Sequence, residues 1–154
     1  VTAANASKLN DGAAALLVTS SDKAQELGAK PLVRIVSYAS HAQEPDWFTT
    51  APVAAAQKAL AKAELSADDI DLWEINEAFS VVTMASVRDL NLDSAKVNVR
   101  GGSVAIGHPI GGSGARILVT LIHALLETKQ RYGCASICIG GGEAAAMVVE
   151  NITL

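Results

Sequence analysis

The chain closes on two β-rich runs, "CASICI" (Cys134–Ile139) and "AAAMVVENI" (Ala144–Ile152), with only "GGGE" between them. A parallel partner would need a crossover of about a dozen residues, so these two runs can pair only as an antiparallel hairpin. Upstream, apolar β-type runs alternate with helical patterns. "AAALLVTS" (Ala13–Ser20) reads as a buried strand, followed by a short helix "SDKAQELG" that starts after Ser-Ser-Asp and closes at Gly28. "PLVRIVSYAS" (Pro31–Ser40) reads as a second strand and "HAQEPDWFTTAP" as a loop. Pro52 then opens a strong helix former, "VAAAQKALAKA". Ser66 and Asp69 have capping-box spacing, "IDLWEI" is a strand, Phe79–Leu90 is helical and "KVNV" is a short strand. Ser113 is placed to cap a helix that carries Leu118, Leu121, Ile122 and Leu125 on one face and runs to about Lys129. This order predicts an α/β fold: a mixed sheet covered by helices, parallel in its core and antiparallel in its final pair.

Half of the 154 residues are hydrophobic, enough for one domain or one domain and a fragment of another. The formal charge of -4, without a basic cluster, argues against a nucleic-acid surface. No uninterrupted apolar run reaches the roughly 20 residues that cross a bilayer, and "VTAANASKLNDG" has no signal-peptide pattern, so a soluble chain with no membrane partner is expected. As members of one strand, Cys134 and Cys138 would lie about 13 Å apart, too far for a disulfide, and are expected to be free thiols.

Three places could carry chemistry. In "GGSVAIGHPIGGSGAR" (Gly101–Arg116), six glycines surround one histidine and one proline. Spacing alone suits equally a tight strand-to-helix connector with an incidental His108 and a site in which backbone approaches a ligand closely. A phosphate loop is disfavoured because Ala115-Arg116 stands where its lysine belongs. "CIGGGEAA" matches the G-x-G-x-x-A spacing at Gly140, Gly142 and Ala145, but the nine residues after Ala145 cannot supply a dinucleotide site's helix, strand and distal acid. Cys138 is either inert packing or, beside a base or cation, reactive. Asn76 in "EINEAF" is either a helix N-cap or an amide offered to a substrate or water. The spacing of the two cysteines with His41, His108 and His123 fits no structural zinc site, and His123 falls on the polar side of its helix.

Taken together, "NEAF" (Asn76–Phe79), "NVRGGSVAIGHPIGGSGARI" (Asn98–Ile117) and "CIGGGEAA" (Cys138–Ala145) resemble three successive signatures of the thiolase family, and "NASKLNDGAAALL" resembles the segment before its last domain. "AQEPDWFTTAP" and "YGCASIC" are most similar to the biosynthetic, acetoacetyl-CoA branch. The resemblance implies a layered α/β fold of two similar halves, with residues 1–30 ending the first half and 31–154 forming the C-terminal domain. His108 then resembles the base that activates a nucleophilic cysteine and donates into an oxyanion hole. Cys138 resembles the acid and base at the α-carbon of acetyl-CoA, and Asn76 the holder of an oxyanion-hole water. The Gly140 N–H would serve the second hole, with a side chain unwanted there. Ser7 resembles a contact to the pantetheine arm, and Ala3, Ala78 and Phe79 its apolar lining. The implied substrates and products are acetyl-CoA, acetoacetyl-CoA and CoA, with no cofactor or metal, in a homodimer or homotetramer of cytoplasmic or mitochondrial location. The family's nucleophilic cysteine has no counterpart here, since Cys134 lies inside the wrong strand, and Glu143 stands where a glycine or other small residue is expected. The alternatives are a degradative 3-ketoacyl-CoA thiolase and a non-catalytic assembly fragment.

Overall fold

The computed structural model describes Val1–Leu154 and centres on the expected hairpin: β3 (Tyr132–Ile139) and β4 (Glu143–Asn151) pair antiparallel around the turn Gly140–Gly142. The other two strands, β1 (Val33–Ala42) and β2 (Leu72–Ile75), complete a four-stranded sheet in the order β1-β4-β3-β2. Only β2 and β3 run parallel. The expected parallel core thus shrinks to one pair, because β1 docks antiparallel on the far edge of β4 instead of beside β2.

Period-two alternation sorts each strand's side chains between two helical layers. Cys134, Cys138, Ala144, Ala146 and Val148 face α2 (Ala51–Ala63). On that helix Ala51, Ala55, Ala56 and Ala59 are wholly buried, and an alanine face brings the helix axis close to β1 and β4. Pro52 sits in its first turn as expected, and Glu64 ends it in the left-handed region at φ 56°. Helix α3 (Ser80–Asp89) joins this layer through Val82. After the one-turn α4 (Ser103–Ile106), the opposite layer is α5 (Ser113–Thr128), whose Ile117, Leu121, Ala124 and Leu125 pack on Leu72, Ala135 and Val149. That helix with its preceding turn, Ile110–Thr128, is long and apolar enough to cross a membrane by length and composition alone, contrary to the count of apolar runs. In this fold Ile117, Leu121 and Leu125 are instead covered by the sheet.

Short helix α1 (Ser21–Glu26) is capped by Ser20, whose hydroxyl accepts from the Lys23 N–H, and Gly28 follows it at φ +61°. The Ser66/Asp69 capping box is present. Three other expectations fail for non-local reasons. Residues 13–19 form no strand, and Leu17 is 88% exposed, because no strand of this chain lies beside them. "KVNV" makes only an isolated bridge, Val97 to Trp73, before Asn98 turns left-handed at φ 48°. The stretch expected as a loop after Ser40 instead continues β1 to Ala42, since His41 and Ala42 find partners in Ala144 and Glu143, and Pro45–Thr50 then coils into a 3-10 turn.

The hairpin turn depends on Gly142. Its φ is +91°, and a Cβ there would lie 2.1 Å from the Gln43 carbonyl oxygen. Gly142→Ala is therefore expected to destabilise the fold by about 2–4 kcal/mol, combining left-handed strain with a backbone clash. A urea midpoint unchanged from wild type would refute that account.

Candidate active site

The residues singled out along the sequence converge on one end of the sheet. There a cavity of about 510 Å³ is lined by Ser7, Ala78, Phe79, His108, Cys138 and Gly140, among others. Cys138 reaches it from the last turn-facing positions of β3, and Ala78–Phe79 from the loop after β2. Phe79 is held edge-on against Phe48, ring centroids 5.9 Å apart. The N-terminal segment is stitched across the site: Ser7 donates both its N–H and its hydroxyl to the Ala78 carbonyl, and the His108 N–H donates to the Lys8 carbonyl at 2.8 Å. Ala3 is not among the lining residues. It is exposed, and its carbonyl accepts from Lys8 Nζ. A second cavity of about 480 Å³, on the α5 face, is lined chiefly by apolar side chains and contains none of these residues.

His108 is held at both ring nitrogens. Asn76 Nδ2 lies 3.3 Å from Nε2, and Ser113 Oγ lies 2.6 Å from Nδ1. Ser113 was expected to cap α5, but it occupies the first helical position and its hydroxyl is taken by the imidazole; Gly112 occupies the cap. Asn76 is not a helix cap either, since α3 begins at Ser80. Its fully buried amide is gripped from behind by Ser103, whose hydroxyl donates to Oδ1 at 2.8 Å. The neighbouring Glu77 anchors the glycine loop: its carboxylate accepts from Asn98 Nδ2 and from the Val104 N–H, both at 3.1 Å. Gly102 lets that carboxylate in, because a Cβ there would sit 2.2 Å from the carboxyl carbon. Gly140 is different. A Cβ there would meet nothing within 4 Å, so packing in this chain does not require glycine, and the tight position of the turn is Gly142.

No sequence signal marked Ser103 or Glu74, and Arg116 stood out only as the residue in place of a phosphate-loop lysine. Glu74 is an apparent core position of β2, and its charged partner lies far along the chain in α5. Arg116 Nη1 approaches Glu74 Oε2 only to 4.0 Å, beyond hydrogen-bond range, and Glu74 Oε1 has no partner. Burial therefore prevails over the attraction of Arg116 and, with Glu77 adding repulsion, pushes the Glu74 carboxyl up to about 7. The folded state keeps this proton where the unfolded chain has lost it, so stability is fully present below the ordinary value of 4.5 and declines as pH rises to about 7. Glu74→Gln is expected to remove that decline, on the order of 3 kcal/mol over the window, as followed by unfolding at a series of pH values.

Burial, and after it the Arg116 charge, hold His108 below its ordinary 6.5. The imidazole is thus a neutral base at pH 7. Burial raises the Cys138 thiol, only partly countered by a backbone hydrogen bond, so its resting form is the protonated acid. Cys134, wholly buried, is pushed up to about 12; both cysteines are free. No cluster of three His, Cys, Asp or Glu side chains suited to a metal ion is present. A neutral base, a protonated thiol and hydrogen-bond donors around a mostly apolar cavity can move protons at a carbonyl compound and stabilise charge on its oxygen.

Residues 29–151 match the family model described as "Thiolase, C-terminal domain". The chain belongs to the thiolase family. It is 56% identical to an acetyl-CoA acetyltransferase of Yarrowia lipolytica over 99% of this chain and 38% of that protein. It is 53% identical to the mitochondrial acetyl-CoA acetyltransferase of Bos taurus over 99% of this chain and 36% of that one. The fold superposes on the crystal structure of the Bacillus anthracis acetyl-CoA acetyltransferase with a TM-score of 0.93 and 47% identity, covering 96% of this chain and 38% of that one. The chain thus spans under two-fifths of the length of these thiolase relatives, and the family resemblance read from "NEAF", the histidine loop and "CIGGG" holds.

Proposed function

We propose that this chain supplies the C-terminal part of an acetyl-CoA C-acetyltransferase, which joins two acetyl-CoA molecules into acetoacetyl-CoA or runs the reverse thiolysis. The observation that carries this reading is the convergence of His108, Cys138, Ser7, Ala78 and Phe79 on one cavity with the Asn76 amide on His108 Nε2. Relatives named for that activity support it. In this reading residues 1–30 complete the N-terminal half and 31–154 form the C-terminal domain of a homodimer or homotetramer, with CoA thioesters as substrates.

His108 Nε2 takes the proton of a nucleophilic cysteine supplied by the N-terminal half. The thiolate attacks the thioester carbonyl carbon, the CoA thiolate leaves with the proton of the Cys138 thiol, and Cys138 is left as a thiolate. With Nε2 protonated, Asn76 no longer donates to it. The 3.3 Å contact opens, Nε2–H turns to the carbonyl oxygen, and the Asn76 amide is free to hold a water beside it. In the second half-reaction Cys138, as thiolate, removes the α-proton of a second acetyl-CoA. The carbanion attacks the acetyl-enzyme, and the released cysteine thiolate takes back its proton from His108 Nε2. In this reading the N–H of Gly140, a residue that lines the cavity, donates to the second thioester oxygen as charge develops there.

The test is thiolysis by the full-length protein. kcat/KM for acetoacetyl-CoA should exceed that for a long-chain 3-ketoacyl-CoA by at least about 10², the discrimination that a closed acyl pocket can supply. A preference for the long chain would shift the assignment to a degradative thiolase, and absence of both activities would defeat it. For the same protein, the acid limb of kcat/KM is expected below pH 6.5, since the free enzyme's base is His108 and its proton is lost more easily than usual. An acid limb at or above 6.5 would count against that assignment.

A further inference from the structure

We infer that Arg116 and Ser103 are positioning residues that set which nitrogen of His108 carries the proton, by fixing the direction of every hydrogen bond between the guanidinium and the imidazole. Arg116 Nη2 approaches Ser103 Oγ at 3.1 Å, and a guanidinium can only donate. The Ser103 oxygen is therefore an acceptor there, and its hydrogen must go to the one acceptor within reach, Asn76 Oδ1 at 2.8 Å. With Oδ1 so engaged, the Asn76 amide turns its NH₂ to His108 Nε2, which must offer a lone pair. The proton then resides on Nδ1, which donates to Ser113 Oγ at 2.6 Å. The reverse arrangement would turn Asn76 Oδ1 toward an Nε2–H and place two donors against Ser103, leaving its hydroxyl hydrogen without an acceptor. Ser103 and Asn76 are both wholly buried, so no solvent can relieve that. The order is Arg116 to Ser103 to Asn76 to Nε2, and it leaves the imidazole lone pair on Nε2, the nitrogen that faces Asn76. Glu74 completes the setting without making the choice: it lies 4.0 Å from Arg116 and helps hold the guanidinium in place.

This inference rests on the acetyl-transfer reading for its kinetic consequence only, since the tautomer is a property of the resting protein. In the full-length protein labelled with [¹⁵N]histidine, solid-state NMR at pH 8, with His108 assigned by its loss in His108→Gln, should show a protonated Nδ1 and a bare Nε2. Ser103→Ala and Arg116→Gln should each give a mixture of the two tautomers. Arg116→Lys, which still only donates, should restore the wild-type pattern. In acetoacetyl-CoA thiolysis the first two variants should lose between about 10-fold and about 10⁴-fold in kcat, the span from an orienting partner to a wrong tautomer, with KM changed less than about threefold. A bare Nδ1 in the wild type, or a tautomer unchanged in whichever of the two variants retains the wild-type fold by thermal unfolding, overturns the inference. If wild type has no acetyl-transfer activity while the tautomer responds as described, the functional reading fails and the inference stands.

Discussion

Replacing His108 with alanine in the full-length protein is expected to lower kcat for acetyl transfer by about 10³–10⁴-fold. A general base contributes about 10²–10⁴, and an oxyanion-hole donor about 10²–10³, and one imidazole performing both roles gives less than their product. The structural cost is small by comparison. The ring is only partly buried and Asn76 keeps its bond from Ser103, while the buried Ser113 hydroxyl loses its imidazole partner, about 1–3 kcal/mol. Tm should therefore fall by a few degrees and CoA binding stay near wild type while turnover falls by orders of magnitude, and His108→Gln should behave the same way. A His108→Ala protein that transfers acetyl groups at near-normal rates would remove the central residue of the assignment.

Cys138→Ala is expected to separate the two half-reactions. If Cys138 moves the α-proton, exchange of the acetyl-CoA methyl hydrogens with deuterium from solvent and the condensation itself should both fall by at least about 10³-fold, because without a base near the α-carbon no carbanion forms. Acetylation of the protein by acetyl-CoA, observed by mass spectrometry, should persist. Cys134 provides the internal control. It shares a face of β3 with Cys138 but is wholly buried in the core, away from the cavity, and its thiol is pushed up to about 12. Cys134→Ala should alter stability by about 1 kcal/mol and leave exchange intact. Equal loss of exchange in the two variants would mean that the effect comes from packing of β3.

These two experiments concern residues that were visible along the chain. The terminal hairpin follows from a connection too short for anything else, and α2, the Ser20 cap and the Ser66/Asp69 box follow from contacts within a few residues. His108, Asn76 and Cys138 were also legible, because each sits in a glycine-rich or turn-flanked stretch whose composition a buried connector does not need. Read singly, each had an ordinary structural explanation. They gained meaning as a set, in which order and spacing carried the family resemblance.

Tertiary structure decided everything that depends on what lies opposite. The apolar run at 13–19 carried every local mark of a strand but is exposed, because a strand needs a neighbour as well as a propensity. β1 went to β4, and so the sheet is mostly antiparallel, since pairing is chosen by which edge and which apolar face are free. Ser113 looked like a cap and became the partner of an imidazole five residues earlier. Arg116 looked only like the wrong residue for a phosphate loop, and its donation to Ser103 sets the hydrogen-bond direction through the site. Sequence by itself determined the elements that close within a few residues and marked His108, Asn76 and Cys138 as candidates, since both depend on residue type and short spacing. Only the tertiary structure decided which groups meet, which are buried, and hence their pKa values and proton positions, because desolvation and hydrogen-bond direction arise from atoms brought together across the chain.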